Sequence, residues 1–268
     1  MEIQKKECAD PLTIKGVRSA LGVEFADNPL QVLQTVDSTN TLLRKYAEQG
    51  GESGAVAAAV TQTAGRGRMG RSFFSPSDTG VYLSVLLRPS GPAVNAVRLT
   101  AMAAVAVCRA IESVTGREAS IKWVNDVFVD GKKVCGILTE ASVDPASGTL
   151  RYAVVGLGVN VYEPERGFPG LPQAGYLLNK QEKGIRNRLA AGIAAGVLRG
   201  ARELSDRGFL QEYRRRSLVL GRTVTVVSGD GTEREAKAMD VDDECRLLVR
   251  YEDGRTALLS SGEIRVRI

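Results

Sequence analysis

Three arginines, Arg66, Arg68 and Arg71, fall within six residues of a glycine-rich run, Gly65-Arg66-Gly67-Arg68-Met69-Gly70. Glycines let backbone approach a ligand, and guanidiniums grip phosphate or carboxylate oxygens through paired hydrogen bonds, so the run reads as an anion clamp. Taken without its neighbours it has a second reading, a solvated basic loop. The spacing also fits G-x-G-x-x-G. A dinucleotide fold, however, needs a helix immediately afterwards and an acidic residue about 20 positions on, and here Arg71-Ser72-Phe73-Phe74-Ser75-Pro76 follows.

Two further segments add chemistry. Ile121-Lys122-Trp123-Val124-Asn125-Asp126 surrounds the only tryptophan with a cation, an amide and a carboxylate. Alone, Trp123 reads as core; in this company it reads as the apolar wall of a site. Lys132-Lys133-Val134-Cys135-Gly136-Ile137-Leu138 follows, where Gly136 inside a strand implies close approach of a ligand or another backbone. Gly156-Leu157-Gly158-Val159-Asn160 repeats that logic at a strand end. There is no histidine anywhere in the 268 residues. That removes Ser-His-Asp and Cys-His catalysis and the commonest metal ligand, leaving Lys, Arg, Asp and backbone amides. Cys8, Cys108, Cys135 and Cys245 form no Cys-x-x-Cys pair and read as reduced thiols, with Cys108 in the core.

The elements that must position these residues follow from pattern. Asp37-Ser38-Thr39 predicts a helix start, with Gly50-Gly51 as its stop. Residues 55–62 and 81–87 read as strands, and a nearly all-apolar, buried helix runs from about Val94 to Val114, ended by Gly116. Four strands follow through residue 161, with Asp130-Gly131 turning one hairpin. Helical sequence returns from Ile185 to Arg216. After Ser217 the texture changes to short alternating strands with turns at Gly229-Asp230-Gly231 and Asp253-Gly254, the pattern of a small β-barrel. The expected fold is α+β, a mostly antiparallel sheet with packed helices plus this C-terminal domain. The expected units are a short N-terminal segment 1–35, a catalytic domain 36–216 and the barrel 217–268.

Hydrophobic residues make up 43% and charged residues 25%, a globular composition, and apolar runs stop well short of the roughly 20 residues that cross a membrane. The N-terminus has no apolar run behind its charges and does not read as a secretory signal, so a cytoplasmic location is expected. From Ser217 onward eight Lys/Arg face ten Asp/Glu; set against the whole chain's +5, that leaves +7 on the preceding part. The basic excess thus sits where the arginine run is, and implies a polyphosphate, a nucleic acid or an acidic partner.

Taken in order, Ser38-Thr39-Asn40, Gln62-Thr63-Ala64-Gly65-Arg66-Gly67-Arg68, Lys122-Trp123-Val124-Asn125-Asp126, Lys133-Val134-Cys135-Gly136-Ile137-Leu138 and Gly156-Leu157-Gly158-Val159-Asn160 resemble the motifs of the biotin–protein ligases. The match spans about Val36 to Val161, and the C-terminal barrel resembles that family's SH3-like domain. The resemblance implies the class II aminoacyl-tRNA synthetase-like catalytic fold and an ATP-dependent, AMP-forming ligase. It also implies roles. Ser38, Thr39, Asn40, Gln62 and Gly65 would bind biotin, with Ser38, Thr39 and Gln62 on its ureido group, while Trp123, Gly136, Ile137 and Leu138 would line the ring and chain. Arg66 and Lys133 would hold the carboxylate and α-phosphate, and with Arg68 they would carry catalysis. Arg68, Arg71, Phe73, Lys122, Asn125 and Asn160 would bind ATP, and Asp126 would be the Mg²⁺ ligand.

Val124 departs from the family's Lys-Trp-Pro-Asn-Asp. Only about thirty-five residues precede the motif beginning at Asp37, so the winged helix-turn-helix of bifunctional members is not expected, nor is DNA binding. The implied partner is a biotin carboxyl carrier domain, with no membrane and with a homodimer compatible. The implied chemistry is attack of the biotin carboxylate on the α-phosphorus of ATP, which sets like charges together and needs preorganised cations. The carrier lysine, with a reference pKa of about 10.4, must then lose a proton, a step Asp126 could assist. Two rivals remain. A lipoate or octanoate transferase of similar fold would need no ureido contacts, and a nucleic-acid-binding protein would need a basic, aromatic-rich barrel face, which the net-acidic C-terminal part does not offer.

Overall fold

The computed structural model describes residues 8–227, 231–260 and 263–265. Helix α1 (Ile14–Leu21) precedes strand β1 (Leu30–Val36), helix α2 (Thr39–Glu48), and strands β2 (Val56–Gln62) and β3 (Gly80–Leu87). Helix α3 (Asn95–Thr115) follows, then β4 (Ser120–Lys122), β5 (Asp126–Val129), β6 (Lys132–Val143) and β7 (Leu150–Asn160). Helices α4 (Ile185–Arg202) and α5 (Phe209–Arg215) lead to β8 (Thr223–Val227), β9 (Glu233–Val241), β10 (Leu247–Tyr251), β11 (Thr256–Leu259) and β12 (Glu263–Arg265).

The first seven strands form one sheet in the order β1-β2-β3-β7-β6-β5-β4, antiparallel except for the β1–β2 pair. Alternation along β3 explains its unbroken burial. Val81, Leu83, Val85 and Leu87 join the main core with α3 and α4, while Leu86 turns to the opposite face and packs with Leu43 and Ala47 of α2. The strand is covered on both sides, so apolar residues occupy both phases of the alternation. Ser84 and Tyr82 point to the α2 side, as do Gly156 and Gly158 of β7. The largest part of the candidate residues faces a cavity on that side.

Several expectations hold to within a residue or two. Ser38 caps α2 in extended geometry, Gly116 ends α3 in the left-handed region at φ 68°, and Asp130 and Gly131 turn the β5–β6 hairpin with φ 47° and 71°. Others do not. The stretch from Ile185 to Arg216 is two helices, broken where Arg207 takes φ 55° and Gly208 follows. Sequence pattern did not identify α1 or β1, although β1 extends the sheet and α1 packs on α4. Strands β8–β12 make a five-stranded antiparallel sheet, order β11-β10-β9-β8-β12. Gly229 and Asp230 of the expected turn lie outside the described residues, as do the ends of the last two expected strands. No helix among the described residues is long and apolar enough to cross a membrane.

Candidate functional site

A cavity of about 440 Å³ opens on the α2 side of the large sheet, within the range of small-molecule sites. Of the residues singled out from sequence, Ser38, Thr39, Asn40, Gln62, Arg66, Arg68, Arg71, Phe73, Lys122, Trp123, Asn125, Asp126, Lys133, Gly136, Ile137, Leu138 and Asn160 all line it. Gly65 does not. It is buried, and a Cβ there would stand 2.4 Å from the Phe73 carbonyl oxygen and 2.7 Å from Ser75 Oγ, so its bareness serves the chain's own turn rather than the cavity wall.

One end of the cavity is a network of neutral polar groups. The Thr39 backbone N–H donates to Gln62 Oε1 at 2.9 Å, and the Thr39 hydroxyl donates to the same oxygen at 3.2 Å. That fixes which way the Gln62 amide faces, because a backbone N–H can only donate. Its Nε2 then donates to Ser75 Oγ at 3.0 Å. Behind them Ser84, fully buried, lies 2.7 Å from Thr39 Oγ1 and donates to Asn40 Oδ1 at 2.6 Å. Asn40 Nδ2 donates to Glu140 Oε2 at 2.9 Å. Both ends of the Asn40 amide are therefore engaged by protein. Sequence reasoning missed Ser84 and Glu140: a lone serine in an apolar strand and a glutamate in an exposed-looking stretch carry no local signal.

The other end is cationic. Arg66 NH1 sits 3.1 Å from Glu140 Oε1, which Arg44 shares at 3.2 Å. Arg68 NH1 donates to Asn125 Oδ1 at 2.9 Å, while Asn125 Nδ2 donates to the Ile137 carbonyl at 3.0 Å. Lys133 Nζ lies 2.6 Å from Asp126 Oδ1, an ionic contact without hydrogen-bond directionality, since that buried oxygen has no hydrogen-bond partner. Lys133 reaches this face through an irregularity. Gly136 and Leu138 point into the cavity, so a residue three positions before Gly136 would point away in a regular strand. Register shifts between Val127, paired with Cys135, and Phe128, paired with Lys133, and this one-residue bulge at Val134 turns Lys133 to the cavity side.

The floor is glycine for a reason different from ligand approach. Gly136 pairs with Gly158, and Leu138 with Gly156, across β6 and β7. A Cβ on Gly158 would lie 2.3 Å from the Phe73 ring, and one on Gly156 would lie 2.0 Å from Asn40 Oδ1. The bare positions let Phe73 and Asn40 rest on the sheet. The Phe73 ring also meets Tyr82 edge-on at 6.4 Å.

The arginine run is a small hairpin. Gly67 N donates to the Arg71 carbonyl at 2.7 Å and Phe73 N to the Gly65 carbonyl at 2.8 Å, with Met69 at φ 56° at the tip. Residues Phe168, Gly170, Leu171, Pro172, Gln173 and Ala174 also wall the cavity and were missed. Their Gly/Pro-rich, partly apolar run between β7 and α4 is the available signal. It is held down by Lys133 N donating to the Gln173 carbonyl at 2.8 Å and by Asn160 Nδ2 donating to the Gly175 carbonyl at 3.0 Å.

Trp123 is 4% exposed and donates its indole N–H to the Cys245 carbonyl at 2.9 Å. The Trp123–Val124 peptide is cis, and the Val124 carbonyl accepts from Tyr213 OH. Burial pushes the Tyr82 hydroxyl up to about 12 and the Cys135 thiol well above its ordinary range, so neither is an acid, base or nucleophile near neutrality. Among the described residues no group of three or more Cys, Asp or Glu is arranged to hold a metal.

Comparison with known proteins shows the same organisation elsewhere. Residues 32–160 match the Biotin/lipoate A/B protein ligase family and residues 219–267 the Biotin protein ligase C terminal domain. The chain is 31% identical to the biotin--[acetyl-CoA-carboxylase] ligase of Mycobacterium tuberculosis, over 95% of each chain. It is 30% identical to the bifunctional ligase/repressor BirA of Bacillus spizizenii, over 91% of this chain and 76% of that one. The biotin protein ligase from Aquifex aeolicus, solved in complex with biotin and ATP, has a TM-score of 0.71 at 26% identity, covering 89% of this chain and 98% of that one.

Proposed function

The chain belongs to the biotin–protein ligase family, and on that premise we propose that its cavity joins biotin to AMP and passes the acyl group to a lysine of a biotin carboxyl carrier domain. The observation that carries this is the cavity's division into a neutral hydrogen-bonding end, an apolar wall and a cationic end. Biotin divides the same way, into a ureido group, an apolar ring and chain, and a carboxylate.

Ser38, Thr39 and Gln62 take the ureido group, which needs both donors and acceptors. Trp123, Gly136, Ile137 and Leu138 line the ring and chain. Arg66 and Lys133 meet the carboxylate and the α-phosphate, Arg68 and Arg71 the remaining phosphates, and Phe73, Lys122, Asn125 and Asn160 the nucleotide. A carboxylate resists an amine because it is anionic and lacks a leaving group. Attack on the α-phosphorus expels pyrophosphate and leaves the mixed anhydride biotinyl-5′-AMP, which the carrier lysine then attacks, releasing AMP. Cations fixed in a water-poor pocket lower the cost of bringing two anions together and need no covalent enzyme nucleophile.

Mg²⁺ fits as an ion carried by ATP. Asp126 offers one carboxylate, whose buried Oδ1 has no hydrogen bond and is shared with the Lys133 ammonium at 2.6 Å, and this ion commonly takes one or two carboxylates plus phosphate oxygens. Asp126 would hold it, and bound there it would neutralise phosphate charge. The enzyme acts in the cytoplasm on this reading. Biotin-dependent exchange of labelled pyrophosphate into ATP tests reaction and substrate together: exchange with biotin is expected, and exchange with lipoate but not biotin would transfer the cavity to the other branch of the family.

A further inference from the structure

The two parts of the chain differ in charge, +7 up to residue 216 and −2 beyond it, and the structure spends part of that difference at one contact. The turn between β9 and β10 projects from the C-terminal sheet toward the helices of the large domain. Three arginines meet it: Arg98 of α3, Arg207 between α4 and α5, and Arg214 of α5. Arg98 NH2 lies 2.5 Å from Glu244 Oε1, and the arginine is only 11% exposed. Arg207 and Arg214 both reach the Asp243 carboxylate, at 3.1 and 3.2 Å. Inside the turn, the Asp242 carboxylate accepts the backbone N–H groups of Glu244 and Arg246, at 3.0 and 2.8 Å. Cys245 takes a left-handed φ of 62°, which non-glycine residues adopt only when their surroundings over-determine it. The carbonyl presented by that residue accepts the Trp123 indole N–H. Ile264 of β12 also lines the cavity.

We propose that the Asp242–Arg246 turn is an ionic clasp through which the C-terminal domain positions Trp123, with Glu244 as the positioning residue, so that docking of that domain sets biotin affinity. The inference rests on the reading of Trp123 as the wall of the biotin pocket. An indole offers one N–H, and here it is spent on a carbonyl 122 residues away. The plane of the ring against the cavity is therefore fixed from outside the catalytic sheet. Arg98 is held by Glu244 and by Asn95 Oδ1 at 2.9 Å, and its Nε has no partner. Loss of the Glu244 charge leaves a nearly buried guanidinium uncompensated, and the turn it anchors moves with it. By thermodynamic reciprocity, biotin tightens the domain contact as much as the contact tightens biotin.

Because Trp123 is the sole tryptophan, emission from the full-length protein reports the clasp without a label. Glu244→Gln is expected to red-shift that emission, make it more accessible to iodide, and weaken biotin binding about fivefold or more, as for a typical coupling between sites, with ATP affinity unchanged. Asp243→Asn, at a more exposed carboxylate, shifts both in the same direction by less. The charge swap Arg98→Glu with Glu244→Arg restores both in part. Asp253→Asn, which cuts an exposed pair with Arg255 on another turn, changes neither. A Glu244→Gln protein that melts earlier but keeps wild-type emission and biotin affinity overturns the proposal, because the turn then contributes stability alone. Failure of the wild-type protein to bind biotin would instead sink the assignment of the pocket, while the emission shifts would still decide whether the clasp holds Trp123.

Discussion

The two ends of the cavity are built on different terms. At the neutral end every amide and hydroxyl that sequence singled out has a protein partner, and Ser84 and Asn40, in the second rank, are buried. At the cationic end each charge has a protein partner across a half-open gap: the Arg66 side chain is 42% exposed beside Glu140, and that of Lys133 is 35% exposed beside Asp126. A fixed network of dipoles recognises shape and hydrogen-bond pattern at little ordering cost. Cations held by exchangeable partners can transfer their attention to an anion as charge gathers there. On the proposed assignment, recognition and reactivity are separated along one pocket, and mutations at the two ends should separate in kinetics.

The largest effect is expected at the cationic end. Lys133→Met removes a charge where the proposed function brings carboxylate and phosphate together, and loss of one such stabilising group typically costs on the order of 100-fold or more in rate. Pyrophosphate exchange should fall by that amount while circular dichroism stays unchanged. Near-normal exchange would break the division of labour, since Lys133 would then be only a partner for Asp126.

Next comes the neutral end. Gln62→Leu leaves the Thr39 N–H without a partner and, on the proposed assignment, takes one ureido contact, so biotin affinity should drop by roughly 1 to 3 kcal/mol. ATP affinity should not follow. Ser84→Ala, one residue further from the ligand, should act in the same direction by releasing Asn40 and Thr39. Unchanged biotin affinity in both, measured by titration calorimetry, would remove the ureido group from this end.

How much of this was legible in sequence depends on whether the signal is local. Ser38 as a cap, Asp130-Gly131 as a turn and the apolar phases of β2, β3 and β7 follow from residue type and period. So do the candidate site residues drawn from the five motifs, all but Gly65 on the cavity wall. Lys133 shows the limit. Alternation from Gly136 assigns it to the wrong face, and only the bulge at Val134, set by pairing with β5, reverses that. Gly156 and Gly158 were correctly taken as close-approach positions, but what approaches is Asn40 and Phe73, more than 80 residues away in sequence. The acidic C-terminal part was visible as a charge count, and its arginine partners were not, because ionic contacts between domains have no period.

The hairpin from Gly65 to Phe73 joins the two ends, since it leaves β2 just after Gln62 and carries Arg66 and Arg68. Its glycines and repelling charges favour opening, and its internal backbone bonds and the Arg68–Asn125 contact favour closure. Biotin and ATP together should tip the balance to closure. Trypsin cleavage after Arg66, Arg68 and Arg71, followed by mass spectrometry, should slow several-fold with both ligands and little with either alone. Equal rates in all conditions would return the segment to a solvated basic turn.

The smallest effect is expected where an arginine lies outside the cavity and is doubly paired. Arg216 meets Glu112 Oε1 at 2.5 Å and Glu212 Oε1 at 2.8 Å, tying α3, α5 and, through the Ala119 carbonyl, the start of β4. The hydrogen bond from Arg216 holds the Glu112 carboxyl below its ordinary 4.5, and burial, which works to raise Glu212, is outweighed there by Arg109 and Arg216. A carboxyl depressed in the folded state adds stability above its unfolded value, and that stability is lost as pH falls through the folded value. The contribution is therefore complete at neutral pH and is lost progressively below about 4.5, the ordinary value of Glu112. Glu112→Gln should cost about 1 kcal/mol near pH 7, a modest figure because the Glu112 side chain is 30% exposed. The difference from wild type should shrink toward zero as the pH is lowered through 4 while pyrophosphate exchange at pH 7 is unaffected. A stability difference that stays constant down to pH 3 would show that the cost comes from packing around Glu112 rather than from its charge. The contrast between a structural arginine and the cavity's working ones would then rest on the exchange data alone.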